Sequence, residues 1–337
     1  MDPVSNVAGL EQVAELLRSH DRYLIVPHVA PDPDAFGATL GLARLLTKLG
    51  KEAVVYSDEP VPASCSFLTR CFPVSRELPA DARDWLLIFL DGGERHRQIA
   101  TTRDWPTWMN LDHHLDNGRF AAWIYVDTEA AATSLIVAQL QPHLGVELDA
   151  EVATCLFTGI LFDTRGAFIT DRCDGALFRT VARLVEAGAR PDEVNRHLHE
   201  QVGLQDFQVY GEGLAALRTA ADGAVVYVGL TRAMLARARD PDQPTELLTQ
   251  HLPKLQGGEV YVLFKEAARG GVKVSLRSKG RVPVNTIAKQ FGGGGHRFAA
   301  GVRLALSLEE AVAALVPCCE AAVREARGGA SSPEVPA

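Results

Sequence analysis

Several absences narrow the reading of this 337-residue chain. Its six cysteines, Cys65, Cys71, Cys155, Cys173, Cys318 and Cys319, include no C-x-x-C zinc pattern and no spacing typical of a disulfide framework. A reduced, cytoplasmic location is expected. No stretch is apolar for long enough to span a bilayer, so no membrane association is expected. Glu11 and Glu15 interrupt the apolar pattern near the N-terminus, unlike the centre of a signal peptide. There is no basic excess either. A net charge of −8 argues against a partner such as long duplex DNA, which is bound through bulk electrostatics. A small phosphorylated ligand stays compatible with that charge, because bound metal ions make a local field positive. No internal repeat is visible.

The apolar periodicities imply two α/β parts. Val7, Leu10, Val13, Leu16 and Leu17 recur at helical spacing, and Tyr23 to Val26 reads as a buried strand. A helix is expected from near Ala35 to a stop at Gly50, then strands over Ala53 to Tyr56, Leu86 to Leu90 and Met109 to Leu111. Ala130 to Leu140, Ala150 to Phe162 and Ala176 to Ala187 read as helices. Alternating strands and helices imply a mainly parallel sheet covered on both faces, with ligands beyond the carboxyl ends of its strands. The expected division is a catalytic domain over residues 1–191, a polar helical connector over 192–219, a smaller α/β domain over 220–326 and a disordered tail over 327–337. In the smaller domain Val225 to Val228, Val260 to Phe264, Val272 to Leu276 and Val302 to Leu306 read as strands. Thr245 to His251, Val284 to Phe291 and Leu308 to Ala326 read as helices.

Four motifs carry candidate metal ligands. They are His28-x-x-x-Asp32-Pro33-Asp34-Ala35-Phe36-Gly37, Asp91 after the run Trp85 to Leu90, Asp112-His113-His114 after Trp108 to Leu111, and Asp163 after Val152 to Phe162. Singly, each has an ordinary explanation. Asp caps helices, strands end in Asp before turns such as Gly92-Gly93, and a loop aspartate is usually solvated. Together, three of the four lie just after a strand, where parallel sheets place their sites. An aspartate-rich, histidine-poor, cysteine-free set points to two Mn²⁺ ions, or Mg²⁺, more than to structural zinc. Paired ions of this kind hydrolyse phosphate esters. Arg95 and Arg97 follow Asp91, and either could touch a phosphate, but surface arginines are common. In the second part Arg277-Ser278 ends a strand, and Gly292-Gly293-Gly294-Gly295-His296 sits between a helix and a strand. This reads as a loop whose bare backbone approaches an anion.

These residues resemble the DHH phosphoesterases that carry the DHH-associated C-terminal domain. The four motifs look like that family's four metal-binding motifs. Val274 to Ser278 and Gly292 to Gly301 look like its nucleotide-binding signature. The resemblance runs from about Leu10 to Leu306. It implies an active site in the cleft between the two domains. His28, Asp32 and Asp91 would hold one metal, and Asp34, Asp91, His113 and Asp163 the other, with Asp91 bridging. Asp112 would orient its neighbours, and His114 would meet the scissile phosphate or assist the leaving oxygen. Arg277, Ser278, Gly293, Gly294, Gly295 and His296 would bind the far end of the substrate.

Within that family the compact layout resembles the nano-RNases, which degrade very short oligoribonucleotides. The implied partners are short single-stranded RNA, dinucleotides and the nucleotide pAp, with a homodimer left open. The competing readings are a cyclic- or linear-dinucleotide phosphodiesterase, a RecJ-like single-strand exonuclease, and a nucleotide-binding regulator without catalysis. Ala30, Ala38 and Arg165 depart from the family pattern, and Arg165 alters the loop of the fourth motif.

Overall fold

In the computed structural model the described residues are 5–328 without Thr107, Arg165, Ala167, Ile169, Asp171 and Arg269; the side chains of Ser5, Asn6 and His296 are also outside the description. The expected effect of Arg165 and the expected tail beyond residue 328 therefore lie outside the described residues. The chain forms two compact units that divide between Gln201 and Val202.

The first unit contains β1 (Ser5–Asn6), α1 (Leu10–Ser19), β2 (Arg22–Val26), α2 (Pro33–Lys48) and β3 (Glu52–Tyr56). It continues with β4 (Val74–Ser75), β5 (Leu86–Leu90), β6 (Trp108–Asp112), β7 (Trp123–Val126), α3 (Thr133–Leu144), α4 (Ala150–Asp163), α5 (Gly175–Glu186) and α6 (Pro191–His199). The seven strands form one sheet in the order β1-β7-β6-β5-β2-β3-β4. Every pairing in it is parallel. β5 shows why this strand is apolar at every position: both of its faces are buried. Leu86, Ile88 and Leu90 face one core, and Leu87 and Phe89 the other.

The two faces are closed differently. All of α1 to α5 contribute to the first core. The second, built on Leu24, Val26, Leu87, Phe89, Trp105, Trp108 and Ile124, takes no residue from an α-helix among the described residues. The short 3₁₀ turn over Ala82–Asp84 contributes Ala82 to it. Helices were expected on both faces; large aromatic side chains seal the second face instead. β7 was not anticipated from the sequence.

Three helices that cover the first face are themselves almost wholly buried. α2 begins two residues earlier than its apolar pattern implied. Asp32 caps it through bonds from the Asp34 and Ala35 amides, and Pro33 occupies the first turn. α2 lies tightly on α4, because a Cβ at Gly37 would fall 2.4 Å from the Cys155 carbonyl oxygen.

The second unit contains α7 (Leu204–Ala215), β8 (Arg218–Ala220), β9 (Val225–Leu230), α8 (Arg232–Leu235), α9 (Gln243–His251), β10 (Val260–Glu266) and β11 (Val272–Ser278). Then follow α10 (Val284–Gln290), β12 (Gly294–His296), β13 (Ala299–Leu304) and α11 (Leu308–Gly328). Its six-stranded sheet runs β12-β13-β11-β10-β9-β8. Only β9 and β10 pair in parallel. α10 and α11 close one face around Val262, Phe264 and Val274. The other face is closed over β9 and β10 by Leu235, Leu248 and Leu252. The segment expected as a connector holds α6, α7 and β8, with the division between the units inside it.

Two glycine substitutions should act in opposite directions. Gly37→Ala forces a methyl group against the α4 backbone and should destabilise by about 1–3 kcal/mol, as overpacking does. Gly211→Ala, exposed in α7 with nothing near the position of its Cβ, should stabilise by about 0.5–1 kcal/mol through helix propensity. Denaturant unfolding of both variants beside wild type checks the two signs.

Candidate metal centre

Strand ends of the first unit, the start of α2 and the end of α4 bring the expected ligands together. His28 follows β2, Asp91 follows β5, Asp112 ends β6 and precedes His113 and His114, and Asp163 closes α4. Three donor sets result, His28 with Asp32 and Asp91, Asp34 with His113 and Asp163, and Asp91 with His113 and His114. Within each set the ligand atoms lie within 4.8 Å of one another. His28 Nε2 stands 3.7 Å from Asp91 Oδ2 and 3.9 Å from Asp32 Oδ2. His113 Nε2 stands 3.5 Å from Asp91 Oδ1 and 3.2 Å from Asp163 Oδ2. Asp91 therefore turns one carboxylate oxygen toward each histidine. It does so from a left-handed backbone conformation, φ 59°, which is uncommon for any residue but glycine and typical of functional sites.

The histidines are oriented by their other ring nitrogens. His28 Nδ1 donates to the Val29 carbonyl at 2.7 Å and His113 Nδ1 to the Ala130 carbonyl at 3.2 Å, leaving each Nε2 toward the carboxylates. His114 differs. Its Nδ1 donates to Asp112 Oδ1 at 2.7 Å and stands 3.8 Å from Asp91. The same Asp112 oxygen accepts from the His113 amide at 2.9 Å, and Asp112 Oδ2 accepts from Asn117 Nδ2 at 2.6 Å. Asp112 thus ties the loop together and orients His114.

Asp34 serves two structures at once. α3 starts after Ala132, which has no side-chain cap to offer. The Asp34 carboxylate supplies it, accepting from the Thr133 amide at 2.6 Å and the Ser134 amide at 2.9 Å. Gly159 makes the room: a Cβ there would lie 2.4 Å from Asp34 Oδ1. Asp32 divides its oxygens in the same manner, Oδ1 capping α2 and Oδ2 facing His28.

The electrostatics identify what the site needs. Burial, then the charge of Asp163, pushes the Asp34 carboxyl up to about 7. Burial and the charges of Asp34 and Asp32 raise Asp91 well above the usual carboxylate range, and burial likewise raises Asp163. Burial pulls His113 down, but its bond to Asp163 and the charges of Asp91, Asp163 and Asp34 outweigh this and push it up to about 10. Burial lowers His28, with Asp32 opposing and Arg97 assisting. Asp112 stays anionic, since its bonds from His114 and Asn117 overcome burial. Crowded, desolvated carboxylates with inward-facing imidazoles fit divalent cations, whose oxygen and nitrogen ligands bind at about 2.0–2.2 Å.

The second unit gathers the other candidates. Arg277 pairs with Ala299, and Ala299 with His296, so these residues form one row across β11, β13 and β12. Lys273, Ser275 and Arg277 alternate with the buried Val272, Val274 and Leu276, and point away from the α10–α11 core. Arg277 Nη1 donates to the Leu276 carbonyl. Ser278 Oγ accepts from the Gly280 and Val282 amides. The glycine run, expected as an open loop, pairs as β12 against β13. Gly293 and Gly295 are required by that pairing, since a Cβ at either would fall within 2.6 Å of a β13 backbone oxygen; around Gly294 there is open space.

Thr133, Ser134, Gly159 and Asn117 escaped the sequence reading. Thr133 Oγ1 donates to Asp91 Oδ1 at 2.9 Å. A Thr-Ser pair at a helix start is an ordinary capping signal, and nothing local shows that it serves a carboxylate from another helix.

The fold and this donor set define a hydrolase of phosphate esters. The chain belongs to the DHH family: the model of the DHH family N-terminal domain matches residues 22–160, and that of the DHHA1 domain residues 236–323. It is 35% identical over 308 residues to a Thermus thermophilus protein described as a bifunctional oligoribonuclease and PAP phosphatase NrnA, covering 89% of this chain and 90% of that one. A Bacillus subtilis protein of the same description is 26% identical over 300 residues, with 86% and 92% covered. The crystal structure of an exopolyphosphatase-related protein from Bacteroides fragilis superposes with a TM-score of 0.86 at 23% identity, covering 94% and 97% of the two chains, and shows the same fold. No helix among the described residues is long and apolar enough to cross a membrane.

The metal-free protein should lose stability as pH rises. Asp34, raised from 3.8 to about 7, favours the protonated fold, so its contribution declines between those values. His113, raised from 6.5 to about 10, stabilises the fold below 6.5 and loses that contribution as pH climbs through about 10. A divalent ion replaces these protons, so its stabilising effect should grow with pH. Melting curves with chelator and with Mn²⁺, between about pH 6 and 9, test this; a parallel pair of profiles would refute it.

Proposed function

We propose that this chain is a nano-RNase that degrades short oligoribonucleotides to mononucleotides and dephosphorylates pAp with two Mn²⁺ ions, or Mg²⁺, in the reduced cytoplasm. The observation that carries the reading is Asp91, whose Oδ2 stands 3.7 Å from His28 Nε2 and whose Oδ1 stands 3.5 Å from His113 Nε2. In this reading His28, Asp32 and Asp91 would hold one ion, and Asp34, Asp91, His113 and Asp163 would hold the other. Such ions act as Lewis acids on a phosphoryl group and make water more acidic. Asp112 keeps His114 oriented, with a proton at Nδ1, so that the ring meets the phosphate or assists the leaving oxygen. Thr133 fixes the Asp91 carboxylate. On the second unit Arg277, Ser278, Gly293, Gly294, Gly295 and His296 bind the nucleotide portion. The names of the Thermus thermophilus and Bacillus subtilis relatives support this substrate class over the other members of the fold.

Asp91→Ala should be the most damaging ligand change, lowering turnover by at least about 10²–10³-fold, the size of losing a principal electrostatic stabiliser. Chelation should abolish wild-type activity and Mn²⁺ restore it. Full activity in metal-stripped protein would overturn the reading.

Substrate length gives a second test. The acidic net charge offers little general attraction to long polyanions. RNA dinucleotides to tetranucleotides should be cleaved faster than long single strands at fixed Mn²⁺ and salt, and pAp should be dephosphorylated. Rates that climb steadily with length would instead indicate a processive exonuclease.

A further inference from the structure

We propose that Arg97 grips the non-bridging oxygens of the phosphate being cleaved, a role that rests on the phosphoesterase reading of this site. Three observations converge on it. First, its main chain is fastened to the metal-ligand segment. The Arg97 carbonyl accepts from the Val29 amide at 2.7 Å, and the next residue, Gln98, bridges antiparallel to His28. The Arg97 amide is itself held by the Glu94 carbonyl at 2.9 Å. The side chain therefore starts from a fixed point beside the cage.

Second, the guanidinium reaches the cage. Its Nη2 lies 3.1 Å from His28 Nε2 and 3.2 Å from His28 Nδ1, a near-equal separation that sets it against the imidazole ring. His28 Nδ1 is already engaged by the Val29 carbonyl, so this contact leaves the orientation of the ring unchanged.

Third, Arg97 is half-buried and has no carboxylate partner among the described residues. Its neighbours are spent elsewhere: Arg95 on Asp104 at 3.2 Å, and Arg103 on the Gln98 and His96 carbonyls. A half-buried guanidinium next to an acid-rich site and without a carboxylate partner among the described residues is poised for an anion from outside.

The charge of the site calls for such a group. The carboxylates of Asp32, Asp34, Asp91 and Asp163 would neutralise two dications, leaving no net positive charge for a substrate phosphate. Arg97 supplies it, in a planar fork that matches phosphate oxygens. Phosphoryl transfer spreads charge over those oxygens in the transition state, so a cation fixed there acts on turnover as well as on binding.

The test uses the full-length, metal-loaded protein. Arg97→Met keeps an unbranched side chain over His28 and removes the donors. Arg97→Lys keeps the charge without the fork, and Arg97→Ala leaves space for added guanidinium ion. Bound metal should match wild type in all three. With pAp, a dinucleotide and bis(4-nitrophenyl) phosphate, kcat of Arg97→Met should fall by about 10²-fold, the scale of one lost oxyanion donor. Arg97→Lys should recover part of this, and guanidinium should rescue Arg97→Ala. Inorganic phosphate should bind the metal-loaded Arg97→Met protein about tenfold or more weakly than wild type by calorimetry. Unchanged phosphate affinity, or a rate loss fully restored by saturating metal, would overturn the proposal and leave Arg97 as mere support for His28. Should wild type hydrolyse none of these esters, the phosphoesterase reading falls and the role of Arg97 with it; hydrolysis by wild type with phosphate affinity unchanged in Arg97→Met overturns the Arg97 proposal alone.

Discussion

Mutual repulsion among buried carboxylates is the constraint on which the first unit is organised. Asp34, Asp91 and Asp163 are each pushed toward protonation by burial; the charge of Asp163 adds to this at Asp34 and Asp91, that of Asp34 at Asp91, and that of Asp32 at all three. Such a group survives in a fold only if its members are pinned by other bonds and offered positive charge. The pinning is visible throughout. The α3 amides hold Asp34, Thr133 holds Asp91, His113 meets Asp163, and the α2 amides hold Asp32. Capping and ligand duty are one arrangement here, which places the negative charge at two positive helix ends before any cation arrives.

That dual use explains what the sequence disclosed and what it concealed. The four motifs were legible because residues of ligand type stand directly after apolar runs, and runs such as Leu86 to Leu90 are buried strands whose ends are fixed by the parallel sheet. Asp32 shows how an ordinary reading and a functional one can both hold, since one oxygen caps and the other faces His28. Thr133 and Ser134 were hidden because their partner, Asp34, lies about a hundred residues away, as in the separations of 99 and 100 for the two amide bonds. Gly159 was hidden because its role is room for someone else's carboxylate. No local pattern encodes either relation.

The fold was legible in class and less so in how it is sealed. Parallel strands and helices followed from periodicity. The helix-free second face did not, because Trp105, Trp108 and Phe89 fill it from loops and strands that carry no helical period. In the second unit the glycine run looked like loop, yet two of its members are small because β13 lies against them. Close packing and ligand access make the same demand on a side chain, and composition alone does not separate them.

The edge strand β1 adds a consequence for how the molecule comes to exist. Ser5 and Asn6 pair with Trp123 and Ile124 of β7, so β1 must wait for a strand more than a hundred residues later. The cage waits longer still, because Asp163 closes it from the end of α4. During synthesis on a ribosome the early aspartates emerge into solvent as separate, well-hydrated charges, with no high-affinity site among them. Only a nearly complete first unit can compete for a scarce divalent ion. Capture of metal by the full donor set therefore follows the folding of the first unit up to α4.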